Sequence, residues 1–330
     1  MLKRYLTTNG LMRHLRDSGI EIEGSYQKRQ LVNYGYYHGY KGFRFFSSRG
    51  NRIPFNDYKQ VIAIINYDSN IKSLFYQHLM FIETALKNVT LEVILKGANS
   101  HEFNVVFSKL MPGYGTAPSG TTVEQKSKIQ RKKMALQNKI RSSLLHAYER
   151  ENKIVTHFYN NINYSDVPIW AIFEILTLGD FGMFVSCLNQ DTREKISQYI
   201  GLDLSGDTNI TLIYQIIYVI KDLRNAVAHN DVVFDTRFRK SIITRPIQVC
   251  LTHEVGVNYV NFKSLADYVI LIAYMLKKFK LPKYKILNLI SSFEKSLKDL
   301  KKDVPSNIYT MIVHPDTIRK ISVLRTYIKS

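Results

Sequence analysis

Acidic side chains and cysteines are scarce in this sequence. Only 27 Asp and Glu stand against 46 Lys and Arg, which leaves a formal net charge of +19 over 330 residues. An excess of that size concentrates polyanions around a protein, so it points to a partner with a phosphate backbone while leaving the fold open. Cys187 and Cys250 are the only cysteines. A disulfide scaffold and a cysteine zinc site are thereby excluded, and a reducing, cytoplasmic compartment is expected. Long apolar runs are missing as well. The longest, Tyr268–Leu276, falls well short of the roughly 20 residues that cross a bilayer. The N-terminal residues lack the apolar core of a signal peptide, so no membrane partner is expected. No G-K-[ST] loop is present to cradle a nucleotide. The glycines at 113, 115 and 120 have the wrong spacing for a dinucleotide loop, with a proline among them and no strand before them. His101-Glu102 and His253-Glu254 lack the second histidine of a zinc-binding helix. Neither a metal nor a small-molecule cofactor is expected.

What is present is helical periodicity. Leu11, Met12 and Leu15 form a stripe on a short first helix ending near Gly19. The 31–50 region, dense in Tyr, Phe and Gly, has poor helix propensity and reads as an irregular, partly extended segment pinned by its rings. Pro54 can open the next helix. From Val61 to Val93 apolar residues recur at helical spacing, giving one or two long helices that reach Gly97. A loop follows over 110–122. Beyond it comes a basic helix carrying Lys126, Lys128, Arg131, Lys132, Lys133, Lys139 and Arg141, with Met134, Leu136, Ile140, Leu144 and Leu145 on its other side. Pro168 opens a nearly all-apolar helix over 169–178 that Gly179 stops; this composition predicts burial. Helices are expected over 211–229, 263–279 and 284–302, a short hairpin or loop over 242–261, and a basic tail at the end. No low-complexity linker divides the chain. Residues 1–330 therefore read as a single all-α domain with short β or loop insertions. Its segments are an N-terminal one (1–50), a first half with the basic helix (51–160), a second half (161–280), and a C-terminal helix with its tail (281–330).

Chemistry concentrates in Arg224-Asn225-Ala226-Val227-Ala228-His229. RNA carries its own nucleophile in the 2′-OH. Cleavage then needs a group to take that proton, a cation to stabilise the charge gathering on phosphate, and a proton for the leaving 5′-oxygen. Histidine transfers protons near neutrality, and arginine offers a planar fork of donors matched to phosphate. Asparagine holds a ring or a phosphate without adding charge. On an ideal helix, residues five apart lie about 7.5 Å along the axis and about 140° around it. Arg224 and His229 thus do not share a narrow face, whereas Asn225 and His229 do. One such helix makes a poor pocket, so the geometry calls for a composite site between two chains or two halves of one chain. As a plain structural feature, His229 is also simply a cation near a helix C-terminus.

The Arg224–His229 run, following the apolar residues 212–220, resembles the R-x4–6-H signature of HEPN-superfamily ribonucleases. The wider layout is similar to the Abi-like (abortive infection) family within it. Residues 31–40, 64–72 running into 81–88, and 167–179 match that family's pattern in order, so the likeness spans roughly residues 10–280. It implies an all-helical, HEPN-like bundle, a dimeric ribonuclease site with Arg224 and His229 catalytic and Asn225 assisting, and a role in phage defence or as a toxin. It also implies control by a cognate structured small RNA. A weak internal repeat places Lys87 where Arg224 stands and Glu92 where His229 stands. The family often has Arg at the Lys87 position. Residues 281–330 resemble nothing recognisable.

Other residues carry competing readings. Glu174 sits in an apolar helix, where an unpaired charge is costly; it is read as structurally paired or as orienting Arg224 or His229, and Glu83 poses the same question. Among the aromatics at 34–46, core packing is expected for most rings, and one or two left exposed would stack on unpaired bases, with Tyr37 and Arg44 as RNA contacts. The basic helix is either a solvated face or an RNA-backbone contact. The functional expectation is a metal-independent endoribonuclease acting on single-stranded RNA as a homodimer, leaving a 2′,3′-cyclic phosphate. The alternative is a non-catalytic protein that holds a structured non-coding RNA.

Overall fold

Helix follows apolar spacing along most of the chain, in a computed structural model that describes residues 6–161 and 166–330. Helix α1 (Thr8–Asp17) opens where the Thr7 hydroxyl accepts the Gly10 N–H at 3.3 Å, and it buries Met12 and Leu15. Helix α2 (Gly24–Tyr34) runs into a π-helical stretch, Gly35–Tyr40, and a single turn, α3 (Lys41–Phe43). Of the 31–50 region read as irregular, residues 31–43 are therefore helical, while 44–50 form bends and turns with the Phe45–Arg52 bridge. The poor propensity of the helical part is offset by packing: Tyr36, Tyr40 and Phe43 are buried. The π-turn also needs Gly39, since a Cβ there would lie 3.0 Å from the Tyr34 carbonyl oxygen. Tyr37 stands out at 75% exposure, and Tyr34 is exposed as well.

Helix α4 (Tyr58–Ala98) is one continuous helix of 41 residues, beginning four residues after Pro54 and not at it. Helices α5 (Phe103–Leu110), α6 (Val123–Glu149) and α7 (Lys153–Tyr159) follow. Helix α6 is longer than its basic stretch. Thr122 and Gln125 close a capping box at its start, and Leu136, Ile140, Leu144 and Ala147 form its buried face.

The apolar run after Pro168 is two helices, α8 (Ile169–Ile175) and α9 (Leu178–Cys187). Thr177 breaks it, its hydroxyl accepting the Asp180 N–H at 3.1 Å. The Thr177-x-x-Asp180 spacing is a helix-start signal in the sequence, and it prevails over Gly179 as a stop. Gly182 lets α9 approach the helix that carries the motif, because a Cβ there would lie 2.9 Å from the Tyr218 ring. Helices α10 (Gln190–Ile200), α11 (Leu212–Ala228) and α12 (Arg245–Val255) come next. Within the 242–261 region, expected as a short hairpin or loop, Arg245–Val255 form α12: Pro246 suits a first turn and Gly256 ends it, and these punctuating residues outweigh the β-branched ones. Among the described residues there are only isolated bridge pairs and no strand, so the fold is all-α and the expected short β insertions do not form.

Helix α13 (Leu265–Lys278) is buried from Leu265 through Leu276. It packs against α14 (Lys283–Asp303) and α16 (Thr317–Lys329), with α15 (Ser306–Ile312) between these in sequence. The expected basic tail is thus two further helices, and Ile321, Leu324 and Ile328 cover the core.

Contacts divide the chain into two compact units. The first comprises the chain up to Leu79, Asp222–Lys240 and Val255–Ser330; the second comprises Met80–Lys221 and Ser241–Glu254. The first unit is built around α13 and the first part of α4. In the second, α6 packs on α7, α8 and α9. No described helix is long and apolar enough to cross a membrane.

Candidate functional site

The motif ends α11, and its placement begins with how that helix stops. Leu223 and Ala226 face the core of the first unit, Arg224 and Asn225 are half-buried, and Ala228 and His229 are exposed. Asn230 takes the left-handed conformation at φ 56°. Its N–H bonds the Val227 carbonyl at 3.3 Å, while the Asp231 N–H bonds that of Ala226 at 2.8 Å. This is a Schellman stop with Asn where Gly is commoner. His229 is therefore the C-cap residue, at the negative end of the helix dipole. Within the motif, Arg224 Nη1 donates to Asn225 Oδ1 at 3.2 Å, and the His229 N–H donates to the Asn225 carbonyl at 2.9 Å.

Beyond the cap the chain is bolted to α4. The N–H groups of Val233 and Phe234 both donate to Asp68 Oδ1 at 2.7 Å. Asp68 is fully buried, and Lys72 one turn later pairs with its other oxygen at 2.9 Å. Burial pushes the Asp68 carboxyl up from its ordinary value, against the pull of the Lys72 ammonium and the two N–H donors. Lys72 also donates to Asn230 Oδ1 at 2.5 Å, and Asn230 Nδ2 stands 3.4 Å from His38 Nε2. Phe234 stacks on Phe43 with centroids 5.7 Å apart. Arg237 is held by Asp235, at 2.9 and 2.8 Å from its Nε, and by the carbonyls of Gly42 and Phe45. Together Tyr37, His38, Asp231, Val232, Arg237 and Phe238 line a cleft of about 350 Å³.

This corner joins three stretches that are far apart in sequence: the π-helical turn, the Asp68–Lys72 turn of α4 and the end of α11. Sequence reading singled out Tyr37, Arg224, Asn225 and His229 there, with His38 among the polar residues interleaved with the aromatics, and missed Asp68, Lys72 and Asn230. A signal existed for one pair: Asp68 and Lys72 stand four apart within an apolar helix, the spacing of a buried ion pair.

Elsewhere the expected residues scatter. Arg44 is half-buried, with its guanidinium 4.5 Å from the Phe45 ring. Glu174 lies in the second unit and is exposed; with Trp170 it forms the outward stripe of α8, so the expected burial of its charge does not occur. Lys87 pairs with Glu83 at 3.4 Å and donates to the Leu176 carbonyl at 2.9 Å, while Glu92 pairs with Lys96 at 2.6 Å. The repeat's counterparts of Arg224 and His229 thus have structural partners. On α6, Lys128, Arg131, Lys139 and Arg141 are exposed, Lys139 reaching Asp180 at 3.4 Å, and Lys126 is half-buried. Lys132, also exposed, and Lys133, half-buried, donate to the carbonyls of Ser186 and Met111, at 3.0 and 2.6 Å.

A family model described as Abi-like protein matches residues 29–235. The matched span includes the π-helical turn, all of α4 and the whole motif with its cap. No curated protein and no solved structure matches the chain. The family's description points to an abortive-infection type of function. With the match extending over well more than half of its length, the chain belongs to the Abi-like protein family.

Proposed function

We propose that this protein is a HEPN-type, metal-independent endoribonuclease that acts in the cytoplasm against phage-infected cells and is restrained by a cognate structured small RNA. The observation that carries the reading is the placement of Arg224, Asn225 and His229 on the last turn of α11, with the imidazole exposed at the helix C-cap. The net charge of +19 supplies the attraction for RNA.

In this scheme His229 removes the proton of the ribose 2′-OH, and the 2′-oxygen attacks the adjacent phosphorus. The bond from phosphorus to the 5′-oxygen breaks, leaving a 2′,3′-cyclic phosphate and a 5′-OH once that oxygen gains a proton. Arg224 binds the non-bridging oxygens as charge accumulates on them. Asn225, already bonded to Arg224, keeps the guanidinium in place. The second proton-transfer group is the same imidazole of a second copy, because Arg224 and His229 diverge by about 140° around their own helix. A homodimer is therefore part of the proposal.

The protein should cut a single-stranded RNA in EDTA. His229→Ala should remove cutting by at least about 100-fold, the scale of general acid–base catalysis, while RNA affinity stays within a few-fold. Cutting that survives this substitution would refute the proposal.

A second reading, non-catalytic RNA holding, is favoured by one observation: Lys128, Arg131 and Arg141 are exposed on α6, in the unit that does not contain the motif's Arg224 and His229. Replacing these three by Gln should flatten the salt dependence of RNA binding without changing the cleavage chemistry.

A further inference from the structure

The second unit contains a pocket of about 360 Å³ whose wall carries Lys132, Lys133 and Arg193, and none of the described residues lining it is acidic. Lys132 Nζ and Arg193 Nη1 both donate to one acceptor, the Ser186 carbonyl, at 3.0 and 3.5 Å. Their charges are thus held close together. Lys133 is fixed by the Met111 carbonyl at 2.6 Å. Arg193 Nη2 takes the Asn209 carbonyl at 3.1 Å, but its Nε is buried without a partner. Asn189 and Gln190 bring the N-terminal turn of the 11-residue helix α10 to the same wall, adding the positive end of a helix dipole.

These cations meet carbonyls, and carbonyls do not neutralise them. Ser186 lies in the last turn of α9, and Met111 just follows α5. Capping those helix ends accounts for part of the arrangement, but a helix C-terminus carries only about half a negative charge. The acid that acts on Arg193 is Asp207; its Oδ2 accepts the N–H groups of Thr211 and Leu212 at 2.5 and 2.6 Å, and its Oδ1 accepts the Thr211 hydroxyl at 3.0 Å. Burial lowers the affinity of Lys132, Lys133 and Arg193 for their protons, and Lys132 and Arg193 repel each other. An anion entering the pocket would relieve both costs.

We propose that the pocket bounded by Lys132, Lys133 and Arg193 is a phosphate site that takes the terminal phosphate monoester of a nucleotide or of an RNA end. Its volume suits a phosphate with its sugar and excludes a duplex. Arginine with two lysines supplies a fork and two point charges for a dianion. The site is independent of the ribonuclease reading, since His229→Ala should leave it intact.

Calorimetric titration of the full-length protein with inorganic phosphate in chloride buffer tests the proposal. Saturable binding at one site, preferred over chloride, is expected. Arg193→Gln should weaken it at least about tenfold, as loss of a charge-assisted contact does. Pro118→Glu places a carboxylate on an exposed residue of the pocket's rim and should weaken binding similarly, without touching a buried contact. Phosphate binding no tighter than chloride, or unchanged in both variants, overturns the proposal. AMP, a 5′-phosphorylated oligoribonucleotide and its 5′-hydroxyl counterpart then compete with phosphate. Displacement by AMP alone identifies a free nucleotide, and displacement by the phosphorylated RNA but not the hydroxyl form identifies an RNA end. Displacement by none of them means an adventitious ion only and overturns the monoester assignment.

Discussion

Lys72 and Lys132 are both lysines on a long helix whose ammonium groups are held by neighbouring protein oxygens, yet they meet different counter-groups. In the first unit Lys72 finds the fully buried Asp68 at 2.9 Å, and the same carboxylate accepts two N–H groups from the segment leaving the motif. The arrangement recurs in that unit, where buried Asp267 pairs with Lys320 at 2.6 Å and accepts the N–H groups of Asn261 and Phe262. In the second unit Lys132 finds the Ser186 carbonyl and, 5.7 Å away, the Tyr214 ring, neither of them a carboxylate, in a pocket with two more cations. A neutralised cation that ties a loop to a helix is structural. An un-neutralised one is available to an incoming anion. The comparison therefore separates basic residues that position the candidate active site from basic residues that can bind phosphate.

Stability measurements can break this distinction. Asp68→Ala strands the Lys72 charge and two N–H groups, and chemical denaturation should show a loss of about 3–5 kcal/mol. A loss below about 1 kcal/mol would mean the carboxylate is not holding the corner. Asn230→Val asks a β-branched residue to take the left-handed position and should cost about 1–2 kcal/mol, read the same way; Asn230→Gly should cost far less and would isolate the contribution of the His38 and Lys72 bridge. Lys132→Met removes one bond to a carbonyl along with an uncompensated charge. Its effect on stability should stay within about 1 kcal/mol, while phosphate binding falls.

The smallest effect concerns pH. Burial lowers the pKa of His78, in the first unit, so the folded state holds its ring neutral. That stability is present above the ordinary histidine value of about 6.5 and is lost as acidification carries the pH through the lowered folded value. Replacing His78 with Gln should flatten the decline in stability between neutral and mildly acidic pH.

The sequence made much of this legible, and its failures have physical causes. Apolar spacing identified α4, α6, α11, α13 and α14 because each buries a continuous face. The helix carrying Arg224–His229 was legible from the apolar run 212–220, whereas the role proposed for those residues rests on the family resemblance. Residues 31–43 were misread because ring packing on Tyr36, Tyr40 and Phe43 overrides weak propensity, which no local rule contains. Residues 245–255 were misread because β-branched content was weighted above Pro246 and Gly256. Glu174 and Asp68 pose the same puzzle in sequence, a carboxylate inside an apolar helix. Only Asp68 has a lysine four residues later, and it is the buried one. The convergence of His38, Lys72 and Asn230 depends on contacts spanning more than a hundred residues, which periodicity does not register.

The most direct test of the central claim is the chemistry of the RNA ends made by purified protein in EDTA, read by mass spectrometry. The account predicts fragments ending in 2′,3′-cyclic phosphate and beginning with 5′-OH, absent with Arg224→Ala or His229→Ala. Fragments with 3′-OH and 5′-phosphate ends, or cleavage that requires a divalent ion, would contradict it.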